Sequence, residues 1–153
     1  MMAIHWRPYR SGDEEYLTEN KWVERYTDGW TRLKNNLKVG NLPLAFTFVD
    51  TNEQVHGIGG FIPYNEKSAE VFTVINTPSL SLVGIPRAVR SCLHKMQEVY
   101  GFTRVFATCR VDEGTDLHQW FTFLGMEREA AIEAWEADGS SVYFYKRIVR
   151  GVE

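Results

Sequence analysis

VINTPSLSLVGIPRAVR, residues 74–90, has the outline of a strand that ends, a loop that turns and a helix that starts. Val74 and Ile75 are β-branched, Pro78 favours a turn, and beyond Pro86 the apolar residues take a helical period. An anion can sit at such a junction. The first N–H groups of a helix have no partner, and the helix dipole is positive there. This loop departs from an ordinary phosphate cradle in two ways. It keeps one glycine, Gly84, where several are usual, and Pro86 has no N–H to give. Losing one charge-assisted bond costs about 1.5–3 kcal/mol. Three readings stand: a cofactor site, a degenerate one, or a plain turn.

Downstream, the spacing predicts a helix from Pro86 to Tyr100 with the stripe Val89, Cys92, Leu93, Met96 and Val99 facing a core. Arg87, Arg90, His94 and Lys95 lie off that stripe, and Gly101 ends the helix. Residues 104–110 read as a strand and 115–124 as a short helix stopped by Gly125; 126–136 and 141–149 form a hairpin around ADGS. Upstream, 42–50, 55–64 and 69–76 read as a three-stranded meander, with Gly57, Gly59 and Gly60 allowing a bulge or close backbone approach. Residues 2–7 make a first strand. Asp13 is placed to cap a helix running to Tyr26, and a second helix spans Trp30 to Lys38. The expected fold is α/β: a mixed, mostly antiparallel twisted sheet of about seven strands with about four helices.

The 153 residues suit one domain, 1–153, with no repeat and no linker that would split it. A net charge of −3 argues against a general nucleic-acid binder, which needs a basic surface. No apolar run approaches the roughly 20 residues that span a bilayer, and MMAIHWRPYR has no apolar signal core. Cys92 and Cys109 lack a CxxC partner and fall in apolar periodic segments, so they read as buried thiols of a reducing, cytoplasmic compartment. His5, His56, His94 and His118 show no metal-ligand spacing, and no metal is expected.

The element order resembles that of the GNAT N-acetyltransferase superfamily over nearly the whole chain. IHWRPYRSGDEEYL (4–17) resembles its opening strand and helix start, HGIGGFIPY (56–64) its third strand, FTFLGMERE (121–129) its tyrosine-x-x-leucine-Gly-Phe segment and DGSSVYFYKRI (138–148) its closing strand. The segment 74–90 falls in register with the family's acyl-CoA loop: Pro78 matches a proline, Ser81 the Arg/Gln place, Gly84 the central glycine and Pro86 the last Gly/Ala. Leu82 and Val83 stand where glycine and a polar or basic residue are frequent. Within the superfamily the chain is similar to small GNAT-like proteins of short-tailed, T7-type phages, including an internal virion group.

The resemblance implies acetyl-CoA as cofactor, held by Val74, Ile75, Asn76, Ser81, Leu82, Val83, Gly84, Ile85, Arg87 and Arg90, and a small amine or a protein as acceptor. Arg87 and Arg90 carry two readings, solvated surface arginines or contacts to CoA phosphates. Acyl transfer from a thioester to an amine needs a base for the amine and an acid for the leaving thiolate. The family's usual acid, a tyrosine, corresponds to Phe121, and its usual asparagine to Gly114. Substitutes within reach along the chain are His118, Asp116 and Tyr64 as acids and Glu70 as base; His56 alternates with apolar neighbours and is a candidate to face a cleft. The competing expectation is a GNAT-fold protein with impaired catalysis that binds a protein partner or a second copy. In a phage setting that would be a virion-associated, assembly or host-interaction protein, in the host cytoplasm or the virion. Trp6, Trp22 and Trp30 in the N-terminal part motivate it.

Overall fold

The computed structural model describes residues 3–17, 44–76, 78–79, 82, 84–111 and 115–149, the side chains of 115–117 excepted. The predicted helix 30–38, most of the predicted helix 13–26, and Trp22, Trp30, Ser81, Val83 and Gly114 lie outside them.

The strands are β1 (Ile4–Pro8), β2 (Ala45–Asp50), β3 (Val55–Pro63), β4 (Ser68–Ile75), β5 (Arg104–Arg110), β6 (Glu127–Ile132) and β7 (Val142–Ile148). Among the described residues the α-helices are α1 (Gly84–Tyr100) and α2 (Thr115–Phe123), where about four were expected. The strands form one seven-stranded sheet in the order β1-β2-β3-β4-β5-β7-β6. β1–β2, β2–β3, β5–β7 and β6–β7 pair antiparallel, and β4–β5 pairs parallel across the α1 crossover. Chain contacts separate two compact units: Met1–Ile62 with Val71–Cys92, and Pro63–Glu70 with Leu93–Glu153.

In the first unit, Leu17, Ala45, Val49, Val55, Ile58, Ile62 and Val74 form the core, with Tyr9 and Phe72 packed against it. Every residue of β2 is buried, including Thr47 and Asp50. The expected cap at Asp13 is not made. Residues Asp13–Tyr16 form a 3-10 turn whose N-cap position is held by Gly12, at φ 98. The Asp13 carboxylate instead accepts two bonds from Arg7 at 2.8 and 3.0 Å, one from Thr47 Oγ1 at 2.6 Å and one from the Arg10 N–H at 2.9 Å. Burial pushes this carboxyl up, but the hydrogen bonds from Arg7 and Thr47 outweigh burial and hold it at about 2.

In the second unit, Val105, Ala107 and Cys109 of β5 point to one face together with Tyr143, Tyr145 and Arg147 of β7, their register partners. Phe106, Thr108, Phe144 and Lys146 point to the other. α1 ends on Gly101 and α2 on Gly125, at φ 73 and φ 81, a conformation that costs a side chain but not glycine. In both, the next residue bonds back five positions, Phe102 N–H to Gln97 O and Met126 N–H to Phe121 O, each at 3.0 Å. The α1 stripe holds through Val89, Cys92 and Leu93 but not at its end. Val99 is exposed at 62%, and Gln97 is fully buried in its place. Gln97 accepts from Arg147 Nη1 at 2.6 Å and donates to the Arg147 carbonyl at 3.2 Å.

Candidate active site

The loop 74–90 divides into packed and accessible parts. Val74, Ile75 and Ile85 are core side chains, at most 2% exposed, so only their backbone is available to a ligand. Asn76 is buried as well. Its N–H donates to His56 O at 2.9 Å and its side-chain amide to Tyr16 O at 3.3 Å. Leu82 is half-buried.

α1 begins at Gly84, two residues earlier than Pro86, the start read from the sequence. Of the first four N–H positions, Pro86 has none and Ile85 donates to Leu82 O at 3.1 Å. The Arg87 and Arg90 side chains are exposed on this first part of the helix. A Cβ on Gly84 would come within 2.9 Å of Ile4 Cγ1, so close packing against β1 requires a glycine here, whatever binds the loop.

His118 lies on α2 between two partners. Its Nδ1 is 2.5 Å from the Tyr145 hydroxyl and its Nε2 is 3.8 Å from Cys109 Sγ. Phe121 stacks on the Tyr145 ring, with centroids 5.0 Å apart and planes 24° from parallel. Arg128 sits over the Tyr143 ring at 4.0 Å and its charge reaches Tyr145. Burial pushes the Tyr145 phenol above its ordinary value, and Arg128 works against that. The position that lacks a hydroxyl on α2 is therefore in ring contact with a phenol on β7. Sequence reading missed Tyr145. In VYFYKRI it is one of two tyrosines on the same face of β7, and only the packing of Phe121 from α2 tells which one is buried and which is half-exposed.

Tyr64 and Glu70 do not join His118. Glu70 is the register partner of Phe106, and the Tyr64 ring meets Phe106 edge-on at 6.3 Å, so both belong to the opposite face of β5. Tyr64 is 80% exposed, whereas Glu70 is buried at 8%. His56 is buried too, bonded to Asp50 and Ser79. Among the described residues no group of three His, Cys, Asp or Glu side chains is placed to hold a metal, and no helix is long and apolar enough to cross a membrane. The side chain of Asp116 lies outside the described residues.

Several solved structures are similar over nearly the full chain. A GNAT-family acetyltransferase from Bacillus anthracis shares 18% identity over 97% of this chain and 98% of that one, with a TM-score of 0.74. The spermidine/spermine N-acetyltransferase SpeG from Vibrio cholerae shares 16% over 95% and 92%, at 0.71. Ard1 from Thermoplasma volcanium shares 14% over 97% and 99%, at 0.71. The chain has the fold of the GNAT N-acetyltransferases. No protein-family model and no curated protein matches the sequence. The likeness to phage proteins gains no support from these comparisons.

Proposed function

We propose that the protein is an acyltransferase of GNAT type, one domain spanning 1–153, that moves an acetyl group from acetyl-CoA to an amine. The observation that carries this reading is the start of α1: a GNAT-ordered strand–loop–helix whose N-terminal part carries two exposed arginines, Arg87 and Arg90. Gly84 and the positive end of α1, with the Arg87 and Arg90 side chains and the loop residues Ser81, Leu82 and Val83, hold the pyrophosphate. The backbone of Val74, Ile75 and Asn76 runs beside the pantetheine arm. Bound acetyl-CoA supplies the acyl thioester and a thiolate leaving group.

Proton delivery falls to Tyr145. Its phenol is hydrogen-bonded to His118, which re-supplies the proton, and it sits one ring away from the unreactive Phe121. Glu70 and Tyr64 lie on the opposite face of the β5 register, with the sheet between them and Tyr145, so the incoming amine gives its proton to solvent water rather than to either of them.

Thermal shift or calorimetry with acetyl-CoA is the first test. Ligand at a hundred times its Kd stabilises the fold by about 2.7 kcal/mol. No shift at millimolar acetyl-CoA sinks the reading. If binding holds, Tyr145→Phe lowers kcat with polyamine or other small-amine acceptors by about 10²–10⁴ and leaves the acetyl-CoA KM in place.

A second reading, a partner-binding protein on the same fold, is favoured by the aromatic face of the second unit. There Trp135, 55% exposed, packs on Phe144 at 5.1 Å, and Tyr64 packs on Phe106. It predicts a complex that acetyl-CoA leaves unchanged.

A further inference from the structure

Three buried polar side chains of the first unit form a chain that acyl transfer does not use: Asp50, His56 and Ser79 are 0%, 6% and 7% exposed. His56 Nε2 lies 2.9 Å from Asp50 Oδ2, and His56 Nδ1 lies 2.8 Å from Ser79 Oγ. A buried polar group persists only when hydrogen-bonded, and here each meets the next.

The protons can be placed by chemistry. Asp50 Oδ1 accepts the N–H groups of Asn52 and Gln54 at 2.8 and 3.1 Å. The hydrogen bond from His56, then those two N–H groups, hold the Asp50 carboxyl below the usual carboxylate range against the cost of burial, so it is an ion at neutral pH. A carboxylate facing Nε2 requires a proton on that nitrogen. In the neutral ring Nδ1 then carries a lone pair, and the Ser79 hydroxyl donates to it. If the ring gains a second proton, Nδ1–H donates to Ser79 Oγ instead. The link to Ser79 is closed in either state.

The backbone brings His56 to this point by an irregularity. In the β2–β3 ladder Phe48 pairs with Gly57 and Val49 with Val55, so His56 is the extra residue of a β-bulge. Its carbonyl accepts Asn76 N–H at 2.9 Å, and Ser79 N–H in turn donates to Asn76 O at 2.8 Å. Leu82 N–H donates to Ser79 O at 3.0 Å, and Ile85 N–H to Leu82 O at 3.1 Å. His56 therefore grips the loop twice, by backbone at Asn76 and by side chain at Ser79, and a run of turns carries that anchor to the first residues of α1.

We propose that Asp50, His56 and Ser79 are positioning residues, a buried latch that sets where the N-terminus of α1 presents its N–H groups and thereby tunes the affinity of this loop for the phosphates of CoA. This rests on the acyl-CoA reading of the loop. It adds that the loop, thin in glycine and stiffened by Pro78 and Pro86, is held in register by side chains behind it rather than by the glycine contacts of an ordinary cradle.

The test uses the full chain with CoA as the probe. Ser79→Ala removes the hydroxyl, Ser79→Thr restores it, and Thr47→Val is a control that loses a buried hydrogen bond of the same unit, to Asp13, without touching the loop. The expected result is a CoA Kd at least about tenfold weaker in Ser79→Ala, recovered in Ser79→Thr and unchanged in Thr47→Val. Amide hydrogen exchange at Ser79 and Leu82 speeds up in Ser79→Ala alone, while β2 amides keep their rates. If wild type binds CoA and Ser79→Ala binds it equally well, the latch is refuted. If wild type ignores CoA, the acyl-CoA reading fails instead. The exchange data then decide by themselves whether the latch holds the loop: unaltered Ser79 and Leu82 amides overturn it. His56→Ala repeats the measurement from the other side of the bond.

Discussion

Replacing Asp13 by asparagine isolates the ionic lock between β1 and the turn that follows it. The aspartate of a flexible chain titrates at 3.8, and Asp13 in the folded protein at about 2. At about 1.4 kcal/mol for each tenfold change in proton affinity, that difference amounts to about 2.5 kcal/mol of stability. The folded value is depressed, so the contribution is complete above 3.8 and is lost as the pH falls through about 2. Asparagine has no such charge to lose and cannot accept the paired bonds from Arg7. Urea unfolding of both proteins, from neutral pH down to about pH 2, measures the gap between their stability curves. The variant is weaker by about 2.5 kcal/mol or more at neutral pH, because the Arg7 guanidinium is left largely buried beside a neutral amide. The two curves converge in acid. Asp50, Glu129 and Asp138 are also held below their ordinary values, but none of them is shifted by Asp13 and they steepen both curves alike. A gap that stays constant from neutral pH to about pH 2 refutes the reasoning.

Other perturbations reach different parts of the molecule. Gly57→Ala puts a Cβ 2.8 Å from the Val74 carbonyl, an atom of a strand that cannot yield, and unfolding in urea should show a loss of about 1–3 kcal/mol. Gln97→Ala removes the acceptor 2.6 Å from Arg147 and costs about 1.5–3 kcal/mol by the same assay. Burial pushes the Cys92 thiol well above its ordinary value, so a thiol reagent at mildly alkaline pH should leave it unlabelled in the native protein and label it fully in denaturant. Rapid native labelling there would mean that α1 opens.

Periodicity revealed the elements and their order because it reports which face is covered. The strand at 104–110 and the helix beginning near Pro86 were visible for that reason. It is blind to what two distant segments do to each other. Val99 completes an apolar stripe on paper, yet Gln97 is the buried residue, because Arg147, fifty positions away, needs an acceptor. Asp13 has the look of a helix cap, but Arg7 and Thr47 claim its carboxylate. The glycines of 57–60 pointed to a bulge in this strand, and the ladder has one beside Gly57, but neither glycine content nor alternation shows that it turns His56 toward Asp50 and Ser79. The same limit applies to proton transfer. Phe121 on α2 reads as a missing acid, and the phenol beside it belongs to the strand β7.

The β4–β5 pairing has a consequence for how the chain finds its structure. It joins Ser68, Ala69 and Glu70 to Arg104, Val105 and Phe106, segments about 36 residues apart, and closing such a loop costs about 3 kcal/mol of chain entropy beyond a constant. The β6–β7 hairpin is a far more local pairing. Search time follows sequence separation, so the hairpin is placed to form early and the parallel seam late, once α1 has taken up the intervening chain. In a mutational study of folding rates, changes at Ala69 or Val105 would then act mainly on the unfolding limb, and changes at Tyr143 or Ala131 on the refolding limb.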